Sequence, residues 1–230
     1  MNLLETLSAL GARLPRPAGT LARRVAGAYE RAHPSVPRAL PRLRPEHTAG
    51  ARLLPDRAAL VAALPRGGAI AELGVDEGDF SAALLATARP RVLHLVDTWG
   101  SERYGPDKRD AVRARFAAEG DRVRLHLGES VARVGDFADG SLDFVYVDTT
   151  HAYALTREEL RAYAPKVAPG GMLGGHDYSM GNWGTGFRYG VMEAVQEFCV
   201  EAGWGFRYLT AEIGERQSFA LMRLPELPAA

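Results

Sequence analysis

The sequence predicts an α/β fold: a doubly wound, mostly parallel seven-stranded sheet with helices on both faces, preceded by a helical or irregular N-terminal appendage. Three observations carry that expectation. The first is size and composition: 230 residues, 47% apolar and 24% charged, suffice for one large buried core and exclude a disordered or fibrous chain. The second is the alternation, from residue 57 onward, of short near-continuous apolar runs with segments of helical period; this implies parallel strands joined by crossover helices. The third is that polar residues cluster just after the strand-like runs, where open parallel sheets place their ligands.

Residues 1–55 read as the appendage and 56–230 as the α/β domain. "MNLLETLSALGARLP" sets Leu3, Leu4, Leu7 and Leu10 at helical spacing, an amphipathic stripe suited to covering a groove or a second subunit, which favours a homodimer over a monomer. Glu5 stands where an export signal would carry basic residues, and no run reaches the ~18 to 20 apolar residues of a spanning helix. No membrane is expected, and the cytoplasm is the expected compartment. Five prolines between Pro34 and Pro55 favour an extended connection. The chain is neutral overall, yet residues 1–66 hold 11 Arg against 4 acids. Those arginines lie among Pro and Ala without an aromatic stacking platform, so no nucleic acid partner is expected. Cys199, the single cysteine, excludes an internal disulfide and a four-cysteine zinc site.

The elements then follow in order. "RAALVAAL" reads as a helix, "AIAELGV" as a strand, "DFSAALLATA" as a helix, "RVLHLVD" as a strand, "KRDAVRARFAAEG" as a helix, and "RVRLHLG" and "SLDFVYVD" as strands. After these come "TREELRAYAPKV" as a helix, "GGMLGGHD" as a strand, "GVMEAVQEFCVEAG" as a helix, and two late strands at "GFRYLT" and "SFALMRL". The glycine-rich stretch 179–190, "SMGNWGTGFRYG", reads as a loop over the site.

Each strand end has its own chemistry. In "AELGVDEGDFS", Glu72 lies on a strand, Gly74 in a turn and Gly78 at a helix start, where a backbone without Cβ can approach a ligand. Asp76 stands where a dinucleotide fingerprint needs its second glycine, which argues against a nicotinamide cofactor. Asp97, 23 residues beyond Gly74, closes the next strand and is suited to accept both hydroxyls of a ribose. "LHLGES" sets Glu129 and Ser130 where an adenine edge would lie, Ser130 being equally a helix N-cap. "FVYVDTTHAY" and "GGMLGGHDY" end neighbouring strands on Asp148, His151, His176 and Asp177, four polar groups expected at one rim. Trp99, Tyr178 and Trp183 are candidate apolar walls.

These blocks, taken in order over residues 70–200, resemble the class I S-adenosylmethionine-dependent methyltransferases, and within them the metal-dependent branch of macrocin-type macrolide-sugar O-methyltransferases. "AELGVDEGDFSAALL", "LHLVDTW", "FVYVDTTHAY", "APKVAPGGMLGGHDY" and "GVMEAVQEFC" carry the resemblance. It implies S-adenosylmethionine held by Glu72, Gly74, Gly78, Asp97 and Ser130. It also implies a divalent ion, Mg2+ by analogy, on Asp148 and Asp177, with His151 as the base. His176 stands where macrolide-sugar relatives carry an acid; as a metal ligand it would suit Mn2+ or Fe2+ better than Mg2+. The implied reaction moves a methyl group to a hydroxyl of a small molecule, a sugar of a glycosylated natural product. A phenol or catechol acceptor and a metal-dependent hydrolase on a similar sheet are the alternatives.

Overall fold

The computed structural model describes Arg24 and residues 35–37, 39–101, 105–182, 187–213 and 216–225. The Leu3 to Leu10 stripe and Trp183 lie outside them. In chain order the elements are β1 (Arg52–Leu54), α1 (Arg57–Ala62), β2 (Ala69–Leu73), α2 (Asp79–Thr87), β3 (Val92–Asp97), α3 (Pro106–Arg115) and β4 (Val123–Leu127). They continue as β5 (Leu142–Val147), α4 (Tyr153–Tyr163), β6 (Val167–Gly175), β7 (Gly181–Asn182), β8 (Phe187–Arg188), α5 (Val191–Ala202), β9 (Trp204–Thr210) and β10 (Phe219–Arg223).

The described strands form an eight-stranded sheet in the order β1-β9-β10-β6-β5-β2-β3-β4. β10 runs antiparallel to both its neighbours, and every other pairing is parallel. Strand order reverses beside β2, whose neighbours are β3 and β5, and this opens a crevice at the carboxyl ends. β2 is buried at every position, as an apolar strand covered on both faces must be. Alternate side chains divide between two cores. Ala69, Ala71, Leu73, Val145 and Val147 pack with Leu160 and Tyr163 of α4 and Val195 and Phe198 of α5. Ile70, Phe144 and Tyr146 pack on the other face with Leu60 of α1, Leu84 of α2 and Val112 of α3.

The seven strands expected are corrected to eight. The addition, β1, comes from the proline-rich connection and pairs in parallel with the outer edge of β9, Arg52 opposite Tyr208 and Leu54 opposite Thr210. Three residues are too few to show a period of two, so the strand has no signature of its own. It forms because an extended segment satisfies the open hydrogen-bonding edge of β9. Smaller differences are local. Helix α4 begins at Tyr153, three residues before the expected segment, and ends where Pro165 enters a 3₁₀ turn, Ala164–Lys166. The helix expected through Gly120 stops at Arg115, and Gly120 kinks the 3₁₀ segment Ala117–Arg122. The glycine-rich loop contains the two-stranded hairpin β7–β8.

Candidate active site

The candidate cofactor, metal and catalytic residues lie along the carboxyl rim of β2, β3, β4, β5 and β6. Backbone geometry marks that rim. Five described non-glycine residues have left-handed backbone, and four of them, Asp76, Trp99, His151 and Asp177, fall just beyond the ends of β2, β3, β5 and β6. Each such conformation costs on the order of 1–3 kcal/mol and is tolerated where the surroundings fix it.

The turn after β2 is tied to its neighbours on both sides. Gly74 has φ 86°, and a Cβ there would lie 2.0 Å from the carbonyl oxygen of Asp148. Only glycine allows this contact, which locks the turn against the end of β5. On the other side the Asp97 carboxylate draws the turn in. Its Oδ2 accepts the backbone N–H of Val75 at 2.7 Å and of Asp76 at 3.1 Å, and its Oδ1 accepts that of Trp99 at 2.9 Å. Three of roughly four acceptor positions on the carboxylate are thereby used. Gly78 has φ 78° and caps α2, its missing Cβ accommodating the Phe116 ring.

Glu72 lies beneath this turn, almost wholly buried. Its carboxyl accepts a 2.5 Å hydrogen bond from Ser81. Burial pushes its pKa up to about 8, and the hydrogen bond only partly offsets this, so the group is protonated at neutral pH. Ser130 precedes the 3₁₀ segment Val131–Asp136, yet its hydroxyl makes no capping bond. It donates instead to the carboxyl of Glu159 on α4, which also accepts from Thr149 at 2.9 Å, while the Ser130 carbonyl accepts the Tyr163 hydroxyl at 2.8 Å. The N-cap reading of Ser130 is therefore replaced by a buried network. Glu159 is fully buried, which raises its pKa to about 7. It was hidden in the charged run "TREELR"; the signal that exposes it is the stripe Thr156, Glu159, Leu160 and Tyr163, the buried phase of α4.

Asp148, His151, His176 and Asp177 do converge. His151 Nδ1 lies 3.0 Å from Asp177 Oδ2, His176 Nδ1 lies 3.3 Å from the same oxygen, and 3.8 Å separates His176 Nδ1 from Asp148 Oδ2. One donor atom each from Asp148, His151 and Asp177 fits within a 4.8 Å cluster, a spacing that suits a shared divalent ion with oxygen and imidazole ligands. The convergent trio thus includes His151, expected as the base, and leaves out His176, expected as a ligand. His176 is instead wedged beside Asp177, its Nε2 buried without a hydrogen-bond partner among the described residues.

The two acids titrate in opposite senses. Burial raises the Asp148 pKa, against the pull of His176. Burial would raise Asp177 too, but hydrogen bonds from His151 and His176 outweigh it and hold the carboxyl well below the usual range. Burial alone would lower the His176 pKa; its hydrogen bond to Asp177 and the charge of Asp148 reverse that and raise it. The Arg57 guanidinium, from α1, lies 3.8 Å from Asp148 and stacks over Phe80. Nothing in its sequence neighbourhood marked it, because its relation to the rim is purely tertiary.

The apolar candidates turn inward. Trp99 is buried and its indole N–H donates to the Asp76 carbonyl at 3.1 Å, bracing the glycine turn. Tyr178 packs against Phe206 and Phe219 in the core.

Residues 71–178 match the model of a methyltransferase-domain family. That segment runs from β2 to just past β6 and contains every candidate cofactor, metal and catalytic residue named from the sequence; Trp183 and Arg57 lie outside it. Among solved structures, a protein from Corynebacterium glutamicum is 17% identical, with 99% of this chain and 100% of that one covered and a TM-score of 0.55. An O-methyltransferase family protein from Burkholderia thailandensis is 19% identical over 74% of this chain and 56% of that one, with a TM-score of 0.54. A trans-methyltransferase, CalH, in complex with SAH is 16% identical over 73% of this chain and 55% of that one, with a TM-score of 0.52. The chain thus spans little more than half of the latter two. At these identities the likeness establishes the Rossmann-like methyltransferase fold. No curated protein matches the chain.

Proposed function

We propose that the protein transfers a methyl group from S-adenosylmethionine to a hydroxyl oxygen of a small molecule, with a divalent ion at the rim, and that the acceptor is a sugar hydroxyl of a glycosylated natural product. The observation that carries this reading is the convergence of Asp148, His151 and Asp177 beside the glycine turn, inside the segment matched as a methyltransferase domain. Asp97 and the turn at Gly74 and Gly78 would seat the nucleoside and methionine portions, with Ser130 near the adenine and Glu72 supporting the turn from below.

The chemistry follows from the donor set. Asp148 and Asp177 would hold the ion, which when bound stabilises developing negative charge on an acceptor oxygen. Asp177 can only accept when ionised, so His151 donates Nδ1–H to it and keeps the lone pair on Nε2. That nitrogen takes the hydroxyl proton as the oxygen attacks the methyl carbon; the carbon–sulfur bond breaks, its electron pair stays on sulfur, and S-adenosylhomocysteine leaves. A second reading, His151 as third metal ligand, is favoured by the compactness of the trio.

Calorimetric titration of S-adenosylmethionine and S-adenosylhomocysteine, with and without Mg2+ or Mn2+, tests the proposal on the wild type, Asp97→Ala and Asp148→Ala. Nucleoside binding lost in Asp97→Ala and a separate metal event lost in Asp148→Ala are expected. Absence of any nucleoside binding would overturn methyl transfer and leave a metal-dependent hydrolase in front. Retained metal binding in His151→Ala supports the base; lost binding supports the ligand.

A further inference from the structure

Strands β3 and β4 each carry the triplet Leu-His-Leu, and the candidate active site uses neither histidine. The pairing of the strands sets His94 opposite Arg124 and Val96 opposite His126, so the two imidazoles are diagonal neighbours on one face. His94 Nδ1 lies 2.9 Å from His126 Nε2, and His126 Nδ1 lies 2.9 Å from Asp136 Oδ2. Asp136, His126 and His94 thus form one hydrogen-bonded chain. A single proton bridges His94 Nδ1 and His126 Nε2, and its placement sets whether His94 Nε2 presents a lone pair or an N–H, either of which a hydroxyl can meet. That last nitrogen has no hydrogen bond among the described residues and is not sealed from solvent.

His94 lines a cavity of about 590 Å3 at the amino ends of the strands, away from the metal-binding rim. The volume falls in the range of small-molecule sites. Phe137 backs the imidazoles, edge-on to His94 at 5.1 Å and 5.2 Å from His126. Arg91, Arg122 and Arg124 line the same cavity, as do Asp121, Asp136 and Asp143. Arg122 is committed to Glu119, and Arg91 lies 3.8 Å from Asp143. Arg124 forms no ion pair among the described residues; its Nε donates only to the Asp121 carbonyl at 3.3 Å. Burial, the neighbouring His126 and the cations Arg124 and Arg91 together push the His94 pKa down to about 4, so its ring is neutral at physiological pH.

We propose that this cavity is a second ligand site, distinct from the methyl-transfer site, for a small anion that also carries a hydroxyl. Arg124 holds the phosphate or carboxylate, and His94 Nε2, beside it in the strand register, bonds the hydroxyl. The chain back to Asp136 fixes the imidazole in place, which favours anions that carry a hydroxyl over those that lack one.

Glycerol 3-phosphate, which has both groups, and methyl phosphate, which has the charge without a free hydroxyl, are the probes. The readout is histidine ring 15N spectra of the full chain. Glycerol 3-phosphate should shift His94 Nε2 saturably at millimolar concentration, and Arg124→Ala should weaken its binding about tenfold or more, the scale of a charge-assisted hydrogen bond. His94→Phe, which keeps a ring against Phe137, should bind both phosphates alike. Circular dichroism and thermal unfolding verify that each variant folds; the exposed Arg124→Ala keeps the test decisive if His94→Phe does not. No saturable shift, or equal binding of glycerol 3-phosphate to wild type and Arg124→Ala, overturns the proposal. These readouts do not depend on S-adenosylmethionine, so they stand apart from the proposed reaction.

Discussion

Two clusters of charge meet at helix α4 and differ in how far they satisfy themselves. On the outer side Glu197 of α5 receives hydrogen bonds from Tyr153, from Arg157 at 2.6 Å and from Arg161 at 3.1 Å, and Arg161 continues to Glu201. The α4 partners are spaced four residues apart on one helical face, the backbone is regular, and every acid has its cation. On the rim Asp148, His151, His176 and Asp177 crowd together with left-handed backbone at His151 and Asp177 and a stranded imidazole nitrogen on His176. The first cluster is complete and fastens two helices. The second gathers two acids and two imidazoles on left-handed backbone, strain of the kind that clusters at functional sites.

The comparison can be broken from either end. The largest effect is expected at the rim: His151→Ala should lower methyl transfer about 10²- to 10⁴-fold, the usual contribution of a general base, with thermal unfolding little changed. Equal loss of stability in unfolding experiments would place His151 with the structural cluster. Glu159→Gln should change pH dependence more than stability at any one pH. The Glu159 pKa is raised to about 7, so between the unfolded value near 4.5 and about 7 the folded state binds more protons, and wild-type stability falls as pH rises. Removing that titration should stabilise the variant at pH 8 relative to pH 5 by about 1–3 kcal/mol, read from urea unfolding at both pH values.

At the outer cluster, Glu197→Ala should cost about 2 kcal/mol in urea unfolding while sparing turnover, because it strips a buried carboxylate from three donors. The Glu197 pKa is lowered: burial would raise it, but the Tyr153 and Arg157 hydrogen bonds prevail. The deficit of the variant should therefore be full at neutral pH and shrink as acid protonates the wild-type group. The smallest effect is expected at Arg115, whose 2.7 Å pair with Asp79 is exposed; Arg115→Ala should cost under about 1 kcal/mol.

Much of the rim was legible because chain order and strand period together say which residue ends each strand. Asp97, Asp148 and Asp177 needed no tertiary knowledge to be placed there. Their partners did. That Asp97 spends three acceptor positions on backbone N–H groups, that Glu159 and not the helix end takes the Ser130 hydroxyl, and that Arg57 reaches Asp148 are all contacts between segments whose pairing leaves no local trace. The Glu159 case is instructive: Glu158 beside it is exposed, and only the phase of the helix separates a solvated acid from a buried one. Strand β1 escaped notice for a similar reason, since its stability derives from the edge it joins and not from its own three residues.

That borrowed edge bears on how the protein can be cut. Residues 45–47 and β1 are seated on β9: His47 is buried against Gly205, and Leu54 accepts the backbone N–H of Ala211 at 3.0 Å. A fragment starting at residue 56, the boundary drawn from composition, would bare the outer hydrogen-bonding row of β9 and present a template for intermolecular strand pairing. Such a fragment should self-associate on expression, whereas one begun at residue 44 would retain its own edge strand.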